Sequence, residues 1–225
     1  GDKPIISHII SIYQKFGFNE FIIALGYKSE VIKEYFLNYK SLNSDLLINV
    51  KDGTIKYLKT SDLDLKVNLI DTGKTSMTGG RILRLKEYLN NESFMLTYGD
   101  GLADININKL LDFHKNKNKI ATVTAVRPVA RFGELQIKDN NVINFSEKPQ
   151  TQTGWINGGF FVFEPEIFNY LEDEQTVLEK EPLVKLSKEN KLSAYEHNGF
   201  WHCMDTKRDK DILDSLCKNQ IPPWM

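Results

Sequence analysis

Hydrophobic positions along the chain alternate between a helical spacing and the short continuous runs of buried strands. Residues 3–16 carry apolar side chains three and four positions apart, as one face of a helix requires, and residues 20–25 form an apolar run, EFIIAL. A second helix is predicted at residues 29–39, because Ser29 can cap it and its apolar residues share one face. Since strands that alternate with helices are typical of a parallel sheet, the pattern predicts an α/β fold.

The alternation continues to the end of the chain, with two interruptions. Further strands are predicted at residues 65–70, 94–98, 120–126, 156–163 and 193–196. Further helices are predicted after Arg81 and at residues 106–116, 165–171, 181–189 and 207–217. The interruptions carry the turn residues of β-hairpins: one pairs residues 46–50 with 54–58, and the other pairs residues 134–137 with 142–145.

Composition and domain organisation fit one large domain. We find no internal repeat, low-complexity segment or flexible linker, so residues 1–225 are interpreted as a single domain. Residues 41–64 are a hairpin insertion within it, and residues 206–225 form a C-terminal helix and tail. Hydrophobic residues make up 41% of the chain, which is enough for a sizeable core.

The net charge limits the classes of binding partner, and the cysteines indicate the cellular compartment. The 29 basic and 30 acidic residues give a net charge of −1, which argues against nucleic acid or a membrane surface as a partner held by bulk charge. Small anions remain possible, because their sites need only local charge. Cys203 and Cys217 have neither a metal-ligand spacing nor the pattern of a disulfide framework. With no apolar run of membrane-spanning length and no visible leader, a cytoplasmic protein is predicted.

Two carboxylates are candidate metal ligands. Asp100 lies between Gly99 and Gly101 directly after the predicted strand at residues 94–98, and ligands bind beyond the carboxyl ends of strands in open α/β sheets. Asp205 follows an aromatic and apolar stretch, where an unpaired charge is costly. We predict that both carboxylates share one Mg²⁺, which usually takes one or two carboxylates plus substrate phosphates. The alternatives are a tight turn at Asp100 and a helix cap at Asp205.

A Ser/Thr/Gly-rich loop at residues 75–81, TSMTGGR, leads into a helix. Its backbone N–H groups and the helix dipole could receive an anion or the edge of a nucleobase. Arg81 adds a planar guanidinium that suits phosphate. The alternative is that Gly79 and Gly80 form a structural turn before the helix.

Two further motifs suit a sugar phosphate. Glu147 and Lys148 follow a predicted strand, and Lys148 could neutralise a phosphate as a point charge; the alternative is a solvated ion pair. Asn157, Gly158 and Gly159 interrupt an apolar strand, which suggests close approach of a ligand to the backbone, with Asn157 bonding sugar hydroxyls. The alternative there is a β-bulge.

The order of these motifs resembles that of the sugar-phosphate nucleotidyltransferase family, and most specifically its cytidylyltransferase branch. TYGDG (97–101) and EKP (147–149) are shared widely in the family, whereas SMTGGR (76–81) and INGGFF (156–161) point to the branch. The other similar stretches are GYKSEVIKEYF (26–36), RFGELQI (131–137), EKEPL (179–183) and EHNGFWHCMDTKRDK (196–210). The resemblance covers nearly the whole chain.

The resemblance implies a Rossmann-like, mostly parallel sheet flanked by helices, with β-hairpin insertions. It implies synthesis of CDP-glucose and pyrophosphate from CTP and glucose 1-phosphate with Mg²⁺, by a homo-oligomer that serves deoxysugar synthesis for bacterial surface polysaccharides. We further expect CTP to be preferred over UTP, with residues 75–81 recognising the base.

The resemblance also assigns roles to individual residues. Asp100 and Asp205 match the metal ligands and, with Lys148, the catalytic residues. The nucleotide-binding positions are Ser76, Thr78, Gly79, Gly80, Arg81 and Gly99, and the sugar-phosphate-binding positions are Glu147, Lys148, Asn157 and Gly158.

The chain departs from the family at its start. Members begin with a strand, a GGxGTR loop and a lysine-bearing PKP segment that hold the triphosphate, and Gly1 to Pro4 match the residues just after them. We therefore expect the native protein to be longer, with an additional strand between the strands at residues 20–25 and 94–98. The alternative function is a non-catalytic sugar-nucleotide-binding or assembly subunit that lacks the triphosphate loop.

Overall fold

The computed structural model describes residues 1–59, 64–89, 91–128, 134–138, 141–146, 154–219 and 221–225. Its α-helices are α1 (Ile5–Gln14), α2 (Ser29–Leu37), α3 (Tyr39–Leu42), α4 (Thr78–Arg84), α5 (Ile107–Lys117), α6 (Glu181–Lys188) and α7 (Lys207–Asn219). Two short 3₁₀ helices span Lys86–Tyr88 and Pro165–Tyr170. The helix predicted at residues 29–39 is divided, since Asn38 has a non-helical ψ of 3° between α2 and α3.

Twelve strands are present in the described residues. They are β1 (Glu20–Leu25), β2 (Asp45–Ile48), β3 (Ile55–Lys59), β4 (Lys66–Asp71), β5 (Phe94–Thr97), β6 (Gly101–Ala103), β7 (Ala121–Val126), β8 (Glu134–Lys138), β9 (Asn141–Ser146), β10 (Ile156–Phe163), β11 (Leu192–His197) and β12 (Trp201–Cys203). Every predicted strand is found within about two residues at each end, an ordinary scatter for strand boundaries. The sequence pattern missed β6 and β12.

The central sheet has the strand order β11-β7-β10-β5. Strand β11 is parallel to β7, and β10 is antiparallel to both β7 and β5. Three of the four strands therefore run in one direction, as the predicted mostly parallel sheet requires. Strand β5 was expected within a parallel ladder, but the partner that the structure gives it is the reversed strand β10.

Strand β10 divides the core into two layers, because successive side chains of a strand point to opposite faces. Phe160 and Val162 pack with residues of α1, α5 and α7. Phe161 and Phe163 pack on the opposite face with residues of α4, α6 and the 3₁₀ helix at Pro165–Tyr170. All four side chains are fully buried, and each contributes about 1.5–3 kcal/mol of hydrophobic free energy. The result is a sheet covered by helices on both faces.

Strands β1 and β4 form a separate parallel pair. A cleft of about 620 Å³ lies between β1 and β5, and its walls include Ile9, Tyr13, Phe21, Ile23 and Met95. In the described part of the chain, β1 pairs only with β4 and β5 only with β10, so each strand has an edge without a strand partner. The additional strand expected between them remains a prediction.

Both predicted hairpins are present, as β2–β3 and β8–β9. The turn of the second hairpin, at residues 139–140, lies outside the described residues. The first hairpin exposes Leu47, Ile48, Val50, Ile55 and Leu58.

Within the described ranges, no helix has the length and apolarity to cross a membrane.

Candidate active site

A two-stranded antiparallel sheet, β6–β12, places the two candidate metal ligands side by side. In this sheet, Cys203 lies opposite Gly101. Gly101 directly follows Asp100, and Cys203 shortly precedes Asp205. The ladder continues with a hydrogen bond of 2.8 Å from the backbone N–H of Met204 to the carbonyl oxygen of Asp100. Two carboxylates that are far apart in the sequence therefore lie together at the end of β5.

The charge of Asp205 acts on the Asp100 carboxyl group. Partial burial raises the pKa of Asp100, and the negative charge of Asp205 raises it further. The alternative that Asp205 caps α7 is not supported, because Thr206 and Asp209 form the cap: the backbone N–H of Thr206 donates to Asp209 over 2.9 Å, and that of Asp209 donates to the Thr206 hydroxyl over 3.2 Å. Asp205 instead accepts a weak hydrogen bond of 3.4 Å from the Cys203 thiol.

These residues suit a hard cation. Side-by-side carboxylates repel one another, and a divalent cation between them removes that repulsion and favours oxygen donors. Burial raises the pKa of the Cys203 thiol to about 11, so the thiol is protonated at neutral pH and is a poor ligand for a soft metal. The described ranges contain no cluster of three or more His, Cys, Asp or Glu side chains that could hold a metal. Two carboxylates alone fit Mg²⁺, which keeps waters and phosphates as its other ligands.

The predicted nucleotide loop is partly a helix, since α4 begins at Thr78 rather than after Arg81. The backbone N–H groups of Gly79 and Gly80 both donate to the carbonyl of Thr176, over 2.9 and 3.1 Å. This corrects the role expected for them, because these N–H groups are already bonded within the protein. A Cβ on Gly80 would lie 2.2 Å from the Glu174 carbonyl oxygen, so this glycine is required for close packing.

Arg81 ties the start of α4 to the ends of β1 and β4. Its Nη1 donates to the carbonyl oxygens of Leu25 and Gly73, over 3.1 and 3.0 Å, and to the hydroxyl of Thr72 over 2.8 Å. Three acceptors exceed the two hydrogens of Nη1, so this nitrogen is fully occupied. Of the guanidinium nitrogens of Arg81, only Nε and Nη2 can therefore donate to the phosphate that the sequence predicts for this residue.

Ser76 and Gly99 occupy different environments. Ser76 is buried, and its hydroxyl is at the limit of hydrogen-bond distance, 3.5 Å, from the Glu174 carboxylate. Gly99 is exposed at the end of β5 and forms part of the wall of the cleft, and a Cβ placed on it would meet no atom within 4 Å. Of the two, Gly99 lies in open space beside Asp100.

Asn157 and Gly158 lie at the start of β10, beside the end of β5 that Asp100 follows. The register shifts between Asn157 and Phe161, so the ladder is interrupted here, as the alternative of a β-bulge predicted. The Asn157 side chain accepts from the backbone N–H of Gly159 over 2.8 Å and donates to the Tyr98 hydroxyl over 3.2 Å. Trp201 of β12 donates its indole N–H to the Gly158 carbonyl over 2.8 Å, which joins the metal-ligand sheet to β10.

Glu147 and Lys148, the remaining predicted site residues, lie outside the described residues. Conversely, the structure brings to the site three residues that the sequence analysis did not single out. These are Tyr98, Glu179 and Trp201. All three lie within stretches that carry the family resemblance, and that was the only signal that could have identified them.

Comparisons with known proteins show the family. Residues 1–214 match the family described as nucleotidyl transferase. The glucose-1-phosphate cytidylyltransferase of Salmonella typhimurium is 44% identical over 225 residues, which are 100% of this chain and 88% of that protein. A probable glucose-1-phosphate cytidylyltransferase of Bacillus subtilis is 45% identical with the same coverage.

Solved structures of lower identity share the fold. A putative glucose-1-phosphate thymidylyltransferase from Bacillus anthracis superimposes with a TM-score of 0.65 at 14% identity, covering 98% of this chain and 85% of that one. A UDP-glucose pyrophosphorylase complexed with UDP-glucose gives a TM-score of 0.64 at 14% identity, covering 97% and 88%. The predicted α/β fold is confirmed. The chain belongs to the nucleotidyl transferase family, and within it to the glucose-1-phosphate cytidylyltransferases.

Proposed function

We propose that the protein transfers a cytidylyl group from CTP to glucose 1-phosphate, giving CDP-glucose and pyrophosphate, with Mg²⁺ held by Asp100 and Asp205. The observation that carries this proposal is the β6–β12 pairing, which places the two carboxylates together at the end of β5. Bound there, Mg²⁺ would offset the negative charge of the phosphates during transfer.

The chemistry needs no protein nucleophile or general base. An oxygen of glucose 1-phosphate attacks the α-phosphorus of CTP; the new O–P bond forms as the bond to the β-phosphate oxygen breaks, and pyrophosphate takes the electron pair. The second pKa of a phosphate monoester is about 6, so the attacking oxygen is already ionised at neutral pH. The Cys203 thiol beside Asp205 has a raised pKa and is not a competing nucleophile.

The chain's own residues then serve to bind and orient the two substrates. Thr78 and the free part of the Arg81 guanidinium would contact the nucleotide, and Gly99 leaves room beside Asp100 for a phosphate. Asn157 would donate a hydrogen bond to the sugar, and Lys148 would offset the charge of its phosphate. Positioning two reactants and stabilising developing charge accounts for most catalysis of this kind.

The base preference provides the experiment that tests this function. The protein would be incubated with Mg²⁺, glucose 1-phosphate and each of CTP, UTP, GTP and dTTP, and the sugar nucleotides would be separated by chromatography. CDP-glucose should form at least about tenfold faster than UDP-glucose, because a site that bonds a specific donor rejects analogues that lack it. Equal rates with CTP and UTP would contradict the proposal. Binding without any turnover would instead favour the non-catalytic subunit.

The wider context follows from the same assignment. We propose a cytoplasmic homo-oligomer whose product supplies deoxysugar synthesis for bacterial surface polysaccharides. The exposed apolar side chains of the β2–β3 hairpin support self-association. Light scattering of the purified protein would test this part, and a monomer at micromolar concentration would contradict it.

A further inference from the structure

One carboxylate, that of Glu179, connects the nucleotide loop with the sugar side of the site. The hydroxyl of Thr78, at the start of α4, donates to Glu179 Oε2 over 2.6 Å. The hydroxyl of Tyr98, at the end of β5, donates to Glu179 Oε1. Tyr98 in turn accepts the hydrogen bond from Asn157 Nδ2. Four side chains from four separate parts of the fold therefore form one hydrogen-bonded chain, which we call the Glu179 chain.

The carboxylate fixes the direction of every hydrogen bond in the Glu179 chain. An ionised carboxylate only accepts, so the hydroxyls of Thr78 and Tyr98 must both donate to it. The Thr78 oxygen then accepts from the backbone N–H of Leu178 over 2.9 Å. The Tyr98 oxygen accepts from Asn157. Hydrogen bonds to a charged group are the stronger ones, and hydrogen bonds in a chain polarise one another.

The same directions determine what Asn157 can offer a substrate. Its Oδ1 accepts from the backbone N–H of Gly159, and one hydrogen of Nδ2 is donated to Tyr98. The other Nδ2 hydrogen has no partner among the residues that the structure describes, and Asn157 is exposed. Toward a sugar, Asn157 can therefore donate this second Nδ2 hydrogen.

We propose that Glu179 is a positioning residue: through Thr78 it holds the nucleotide loop, and through Tyr98 it holds Asn157 as a donor toward the sugar phosphate. This inference rests on the proposed function for the identity of the two substrates. It assigns no contact between Glu179 and a substrate; the carboxylate acts through the two hydroxyls.

Glu179→Gln is the most informative variant, because it keeps the shape of the side chain and replaces one acceptor oxygen with an NH₂ group. The amide offers one oxygen and one NH₂ group, so only one of the two hydroxyls can go on donating to residue 179. If the Tyr98 hydroxyl turns, its bond with Asn157 is lost or reversed. If the Thr78 hydroxyl turns, the N–H of Leu178 loses its acceptor. Either outcome disturbs the position of one substrate relative to the other.

Steady-state kinetics with both substrates varied test the proposal. Glu179→Gln and Tyr98→Phe should each lower kcat/KM by about ten- to hundredfold, the loss expected of small misplacements. The double variant should lose little more than the worse single variant, because the residues act as a unit. Glu172→Gln, which makes the same change at an exposed position, is the matched control and should retain the wild-type constants. Wild-type kinetics in Glu179→Gln would overturn the proposal.

A second measurement separates this proposal from the proposed function. The ring resonances of a tyrosine depend on the hydrogen bonds of its hydroxyl, and the Tyr98 hydroxyl donates to Glu179. In tyrosine-labelled protein, the NMR resonances of Tyr98 should therefore shift in Glu179→Gln and stay unchanged in Glu172→Gln, with Tyr98→Phe providing the assignment. Unchanged Tyr98 resonances in Glu179→Gln would overturn the Glu179 chain even if the enzyme is active. A wild-type protein that makes no CDP-glucose would overturn the function alone, and the Tyr98 resonances would then decide this proposal.

Discussion

The backbone N–H of Met204 donates a hydrogen bond of 2.8 Å to the carbonyl oxygen of Asp100. This bond extends the β6–β12 ladder by one step, and it places Asp205 next to Asp100. The site thus depends on a short stretch of backbone pairing between segments from the middle and the end of the chain. Substitutions at the carboxylates and changes to the surrounding packing should have different consequences.

Asp100→Asn should reduce turnover far more than stability. Removing a metal ligand should lower kcat by about a hundredfold or more, as for the loss of a group that stabilises transition-state charge. The metal-free variant should be at least as stable as the wild type, because repulsion from Asp205 disappears. Denaturant unfolding and product assays check both expectations, with Asp112→Asn on the exposed face of α5 as the control. A variant that loses activity only because it unfolds would contradict this account.

The raised pKa of Asp100 also predicts how stability depends on pH. A carboxyl whose pKa is higher in the folded state binds its proton more tightly there, so its stabilising contribution is present in acid and is lost as pH rises through the folded pKa. The free energy of unfolding of metal-free wild type relative to Asp100→Asn should therefore fall as pH rises from below the ordinary carboxyl range to above the raised pKa. Parallel pH profiles for the two proteins would show that Asp100 has an unperturbed pKa.

Replacing each of two glycines of the site with alanine should change the stability of the protein by different amounts. Gly80→Ala forces a Cβ against the backbone of Glu174 and should destabilise the protein by about 1–3 kcal/mol, as overpacking does. Gly99→Ala meets no atom within 4 Å and should change stability by less than about 0.5 kcal/mol. Activity at low temperature should nevertheless fall in Gly99→Ala, because the methyl group enters the space beside Asp100. Thermal unfolding and rate measurements on the same samples would distinguish them; equal stability losses would be inconsistent with this packing.

Much of the fold could be predicted from the sequence, because hydrophobic periodicity reports burial directly. It identified β1, β4, β7, β10 and the hairpin β2–β3. Strands β6 and β12 escaped it, since three residues are too few to show a period. The positions of Asp100 and Asp205 after apolar stretches predicted a shared cation, but only the structure shows the backbone pairing that joins them.

The nucleotide loop shows a second limit of sequence reasoning. Gly79 and Gly80 resemble an anion-binding loop locally, but the carbonyl oxygen of Thr176 satisfies their N–H groups. Glu179 has no local signal of function at all, and its role depends on Thr78 and Tyr98, which are distant in sequence. Long-range partners of polar groups are what a single sequence does not reveal.

The most direct test of the central claim is a double-mutant cycle at Asp100 and Asp205, measured as the rate of Mg²⁺-dependent CDP-glucose formation from CTP and glucose 1-phosphate. If the two carboxylates hold one cation, Asp100→Asn and Asp205→Asn should each be severely impaired, and the double variant should be scarcely slower than the worse single variant. An Asp205→Asn variant with the wild-type rate, or losses that multiply in the double variant, would contradict the shared site.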